Sequence, residues 1–176
     1  MSPIQLIIRS KFFLTSRQSA TRTIETEMDL YRKIIADLGN SKCAQKVRVP
    51  KMVGVDEDMR EWSVYMILEH NTIVNRQVSA QIQHLARGEI YETNFNPKTD
   101  VMPADSAAAD EVAKFEQSVD AHLEALRSIE KMRGTLKRPH PIFGPLDAHG
   151  WNCMFGFHLQ LHRRQAEAVS KQISAG

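Results

Sequence analysis

Apolar residues recur at spacings of three and four along four stretches of this chain, and that period commits most of it to amphipathic helices. The first stretch runs from about Ser16 to Leu38 with Ile24, Met28, Tyr31, Ile35 and Leu38 in register, and Gly39-Asn40 stops it. The second runs from about Arg60 to Arg87. Its main stripe is Trp62, Met66, His70, Ile73, Gln77 and Ala80, flanked by Ile67, Val74, Val78, Ile82 and Leu85, and Gly88 closes it. The third runs from about Ser106 to Met132, with Asp105 as the expected N-cap and Gly134 as the stop. Val112, Phe115, Val119, His122, Leu123, Leu126 and Ile129 make its apolar face. The fourth starts after Asp147, another N-cap candidate, and continues to about Ile173. Trp151, Phe155, His158, His162, Gln165 and Val169 follow one another in it at four, three, four, three and four. No stretch makes a convincing sheet, although Val47-Arg48-Val49 and Ile90-Tyr91 could form short strands. The pattern predicts an all-α fold, an antiparallel four-helix bundle, as one domain over residues 1–176. Residues 1–15 read as an extended N-terminal arm.

Three loops join these stretches, at 39–59, 89–104 and 134–147. The first two exceed the two to eight residues usual between bundle helices, and long loops in compact domains are often binding loops or lids. Charge says little about partners. The net charge of +2 comes from 23 basic and 21 acidic residues, too small an excess to imply nucleic acid or an anionic membrane. The expectation is therefore no nucleic acid and no membrane. Cys43 and Cys153 form neither a CxxC pair nor a disulfide framework, so a reducing cytoplasm is expected. The apolar run Ile4-Gln5-Leu6-Ile7-Ile8 is far shorter than the roughly 20 residues that span a bilayer. From Met1 to Ile24 there is no acidic residue, while Arg9, Lys11, Arg17 and Arg22 stand among Ser and Thr. That is also the composition of a mitochondrial transit peptide.

The informative residues are histidines on inward stripes. His158 and His162 lie four apart on the fourth helix, so their imidazoles share a face and can reach one ion. Trp151, Phe155 and Val169 on the same stripe point both rings into the core. A buried polar group without a partner costs about 1–3 kcal/mol, and a shared divalent ion removes that penalty while favouring neutral rings. His70, between Met66 and Ile73, offers a third ligand from the second helix. Three imidazoles with open positions make a catalytic rather than a structural metal site. The competing reading is three core histidines hydrogen-bonded to their neighbours. Gln77 and Gln165 extend the two histidine stripes, as hydrogen-bond partners of the ligands, as substrate contacts, or as core-edge glutamines. Glu69 reads as a surface or interface carboxylate rather than a ligand, and His122 either approaches the site or, the favoured reading, takes an ordinary half-buried position. Leu159 after His158 rules out the HExxH protease pattern. Phe155 and Leu159, three before the two histidines, rule out the Glu-x-x-His motif of ferritin-like di-iron sites. Phosphate-cradling loops, GxSxG elbows and EF-hand spacing are missing as well.

His140-Pro141-Ile142-Phe143-Gly144-Pro145-Leu146, then Trp151, then His158-x-x-x-His162-x-x-Gln165, together resemble the DinB-like (YfiT-like) superfamily of metalloenzymes. Trp62-Ser63 followed by Glu69-His70 resembles the start of its second helix. The resemblance covers the second helix and the last forty residues, the rest matching only as helices in the right order. It implies a four-helix bundle with a divalent metal, often nickel or zinc, with iron or manganese as alternatives, held by His70, His158 and His162. It also implies dimerisation through helix faces and, for some members, transfer chemistry with a low-molecular-weight thiol as cosubstrate. The chain departs from the family in its basic N-terminal arm and its long 39–59 loop. The expected function is a metal-dependent enzyme acting on a small electrophile. The alternative is a non-catalytic, dimeric helical module with a vestigial or adventitious metal.

Overall fold

The computed structural model describes residues 3–175, and Met1 and Ser2 of the expected arm lie outside them. It is predominantly helical: α1 (Pro3–Leu14), α2 (Arg17–Leu38), α3 (Asn40–Cys43), α4 (Val64–Ala86), α5 (Asp110–Ser128) and α6 (Ala148–Ala175), with a 3-10 turn at Glu57–Met59. Strands β1 (Arg138–His140) and β2 (Gly144–Leu146) add a small antiparallel sheet. Helix α6 packs along both α2 and α4, α4 also packs along α5, and α2 touches α5. The core lies between these four.

Local chemistry sets the ends of the long helices. Ser16 caps α2 by accepting the Ser19 amide, and Ser63 caps α4 by accepting the Met66 amide. At the start of α6 the two oxygens of Asp147 accept the amides of Gly150 and Gly134, each at 2.9 Å, so one carboxylate caps the helix and ties down the preceding turn. Helix α2 buries Ala20, Ile24, Glu27, Met28 and Tyr31. Its close approach to α6 depends on Gly156, where a Cβ would come within 3.3 Å of Thr23 and Ile24.

Four expectations are corrected. Residues 3–14 are helical, not extended. This helix lays Ile8 and Phe12 against the core, with the Phe12 ring edge-on to Phe143 and Phe157 at 5.5 and 6.0 Å. Helix α5 is shorter at both ends than the apolar spacing suggested. Asp105 does not cap it but pairs with Lys46, and Ala109 precedes the first turn without a side-chain cap. At the other end the chain leaves the helix at Ile129, so that Met132 enters the core and its carbonyl accepts the His149 amide at 3.0 Å. Neither Val47–Val49 nor Ile90-Tyr91 forms a strand. The sheet lies instead in the 134–147 loop, where Pro139 faces Pro145.

Candidate metal centre

Helices α4 and α6 run antiparallel: late in α6 Gln165 reaches the Met59 carbonyl just before α4, whereas early in α6 Asn152 meets, through His122, Ser79 far along α4. This brings the three histidines together. The ring centroids of His70 and His162 are 4.5 Å apart, those of His158 and His162 4.6 Å, and those of His70 and His158 5.2 Å. One ring nitrogen from each falls within 4.8 Å of the other two, so the group could hold a metal ion. Trp62 forms an aromatic wall, its ring 5.1 Å from that of His70.

The orientation of two rings is fixed by groups that only accept. The Val101 carbonyl lies 2.8 Å from Nδ1 of His70, so that nitrogen carries the hydrogen and Nε2 presents its lone pair. Gln165 Oε1 lies 2.8 Å from Nδ1 of His162 and does the same there. The amide of Gln165 is itself oriented, because its Nε2 donates to the Met59 carbonyl at 2.7 Å. Both long loops therefore serve the site: the one ending at Met59 braces His162 through Gln165, and the one containing Val101 braces His70 directly. Glu69 is no ligand. It accepts the Ala104 amide at 2.8 Å and pins the second loop in place.

His158 is the unsettled member. Its Nε2 lies 3.2 Å from Nε2 of His70, and its Nδ1 is buried with no hydrogen-bond partner. With the His70 hydrogen on Nδ1, either tautomer of His158 leaves one buried nitrogen unsatisfied. An ion accepting lone pairs from all three rings would remove the Nε2–Nε2 conflict and leave only the Nδ1 hydrogen of His158 without a partner, so the donor set fits a divalent metal on the geometry of these residues.

Electrostatics agree. Burial lowers the pKa of His70 against an opposing hydrogen bond from Val101. It lowers His162 to about 3, with His70 adding to the effect. His158 is pushed well below its usual value, first by burial and then by His162, His70 and His140. All three rings are neutral at pH 7 and have lone pairs to give.

Other residues fall into place away from the ion position. Gln77 makes no hydrogen bond to the three rings, and its Oε1 is buried without a partner. It sits seven residues past His70, about 10 Å further along the helix axis. His122 is fully buried, not half-buried, and is satisfied: Nδ1 is 2.9 Å from Ser79 Oγ, Nε2 is 3.0 Å from Asn152 Oδ1, and its ring stacks on Phe155. His140 belongs nearer the site than the periodicity suggested. The hairpin holds it edge-on to Trp151 at 5.2 Å and close enough to His158 to influence its charge. The Met59 and Val101 carbonyls had no sequence signal, since every residue carries one.

Gln165 gives a direct test of this bracing. A Gln165→Leu variant is expected to fold but to hold a divalent ion roughly 10–100-fold less tightly, because His162 loses its tautomer and its orientation. Competition with a coloured chelator measures this, and an unchanged affinity would mean that the hydrogen bond does not govern the ring.

Comparison with protein-family models, with curated proteins and with solved structures finds no match.

Proposed function

We propose that this chain is a metal-dependent enzyme of the DinB-like superfamily, an antiparallel four-helix bundle of α2, α4, α5 and α6 with nickel or zinc at His70, His158 and His162. Iron and manganese are the alternatives. The observation that carries this reading is the convergence of three neutral imidazoles, two with their Nδ1 hydrogens already committed to Val101 and Gln165. Nitrogen donors of this kind suit borderline metals. A divalent cation held there supplies the charge that lowers the pKa of a neighbouring thiol or water and makes it nucleophilic at neutral pH. The chain's own residues do the rest. Trp62 and the Val101 segment wall off the rings, while Gln165 and Val101 fix the ring faces. The reaction class proposed is transfer of a low-molecular-weight thiol to a small electrophile, in a homodimer formed through helix faces. Two free cysteines suit a reducing compartment such as the cytoplasm, and no helix among the described residues is long and apolar enough to cross a membrane.

Elemental analysis after exhaustive dialysis tests the site. About one metal per chain is expected, with loss of metal and of thiol-transfer turnover in a His158→Ala variant that keeps its helicity. No metal after purification and none on reloading would overturn the reading, as would full metal content in the variant.

The 3.2 Å contact between Nε2 of His70 and Nε2 of His158 favours a second reading. With His158 donating from Nε2, the two rings satisfy each other at that contact, and the chain is a non-catalytic helical module. In that case His158→Ala lowers stability and leaves no metal-dependent activity to lose.

A further inference from the structure

Helix α1 has two apolar sides. Ile8 and Phe12 face the protein, while Leu6, Ile7, Phe13 and Leu14 lie on the outer side and are 60%, 67%, 74% and 80% exposed. At 100° per residue these four and Ser10 share one continuous face. Ile142, 54% exposed in the turn next to Phe143, stands close by because Phe143 packs on Phe12. Large side chains clustered outward on one short helix mark an interaction surface, not the scattered exposure normal for a globular protein.

Three cations, Lys11, Arg17 and Arg133, stand around this face. Lys11 is exposed beside Leu14. Arg17 donates to the main-chain oxygens of Leu126 and Glu130. Arg133 donates to the Thr15 oxygen and lies 5.7 Å over the Phe13 ring. Among the described residues none of these three takes part in an ion pair, whereas Arg32, Lys33, Lys114 and Arg127 elsewhere on the surface all do. A net charge of +2 for the whole chain conceals this local excess, since residues 1–24 contain no Asp or Glu.

We infer that α1 docks the protein on an anionic lipid surface, lying in the interface with Leu6, Ile7, Phe13 and Leu14 among the acyl chains and the cations at the headgroups. Three features select this occupant. An apolar face bordered by cations is the arrangement of helices that lie in the membrane plane. Nucleic acid would match the cations but gain nothing from four exposed apolar side chains. A second copy meeting the same face about a two-fold axis would set Lys11 and Arg133 against their own counterparts. Helix α1 has 12 residues, too few to cross a bilayer, so it lies on the surface. The inference is independent of the metal reading.

Sedimentation of the full chain with vesicles tests it. Phosphatidylcholine vesicles containing a quarter phosphatidylglycerol should bind the protein at least roughly tenfold better than pure phosphatidylcholine, with most of the binding lost in high salt. Leu14→Glu should reduce binding roughly tenfold or more while leaving helicity and thermal midpoint unchanged, because that side chain touches little of the protein. Lys11→Glu should weaken binding to the anionic vesicles only. Equal binding to both vesicle types, or no binding to either, overturns the inference. So does a wild-type dimer that Leu14→Glu dissociates, which would assign the face to a second copy.

Discussion

Taking the metal-free protein from pH 7 to pH 5 is expected to remove most of its folding stability. Burial holds the pKa of His122 at about 4, against an opposing hydrogen bond from Asn152. Burial also holds His140 at about 4. His162 is lowered to about 3 by burial and then by His70, and His158 lies well below its usual value. In the unfolded chain each of these titrates near 6.5. All four folded values are depressed, so the unfolded state binds more protons at acid pH. Stability is therefore full above about pH 6.5 and falls as the pH drops towards the folded values. Near pH 5 each ring contributes a slope of about 1.4 kcal/mol per pH unit, so His122, His140 and His162 together give about 4 kcal/mol per unit, and His158 acts in the same direction. That is comparable with the total stability of a small domain, about 5–15 kcal/mol. Urea unfolding at pH 7, 6 and 5.5 with chelator present measures it, and the slope counts the protons taken up. A flat profile over that range would show that the rings are not held neutral by the fold. The loss should begin well above the pH range in which carboxylates protonate.

What the sequence revealed and what it hid have physical causes. Helices α2, α4 and α6 were legible within a few residues because each buries a continuous stripe, and Ser16 and Asp147 cap α2 and α6 with their side chains. Helix α1 was hidden because its apolar residues face both inward and outward, which blurs the single stripe that the eye looks for. The ends of α5 misled for another reason. Asp105 is a good cap signal but pairs with Lys46, and Gly134 is a good stop signal, but burying Met132 and pairing its carbonyl with His149 required the chain to leave the helix early. Prolines masked the hairpin. Pro139 and Pro145 lack amide hydrogens and depress any strand expectation, yet the two face each other in a ladder only three residues long.

The site divides in the same way. Spacing placed His158 and His162 on one face, and register between two stripes brought in His70. Gln165 was reachable because it lies three residues after His162, one turn along the same face. Gln77 stood on the right stripe at the wrong height. The carbonyls of Val101 and Met59 belong to backbone that folds over the rings, and side-chain chemistry says nothing about where backbone will pass.

Replacing Arg163 by leucine is expected to cost about 3–5 kcal/mol, because it strands a buried carboxylate. Glu27 on α2 is 3% exposed, and its Oε2 accepts from Nε of Arg163 on α6. Among the described residues the only other side-chain donor to it is Gln160, whose Nε2 lies 3.3 Å from Oε1. Arg163 also reaches Glu167 with a second nitrogen, which makes the two directions unequal. Glu27→Leu leaves the guanidinium paired with a partly exposed carboxylate and should cost less than Arg163→Leu. The double variant Glu27→Leu, Arg163→Leu removes both charges and should recover most of the loss, since a well-packed apolar pair is often as stable as a buried ion pair. Urea denaturation of the four proteins closes the cycle and isolates the coupling. The pair also bears on the site. Arg163 directly follows His162, so the ion pair that clamps α6 to α2 helps to set how α6 is turned about its axis, and with it the direction of the His162 ring. The double variant, stable but without the clamp, should then bind a divalent ion more weakly than the wild type. Arg163→Leu costing less than about 1 kcal/mol would mean that Glu27 finds water or another donor, and that the clamp does not set the helix.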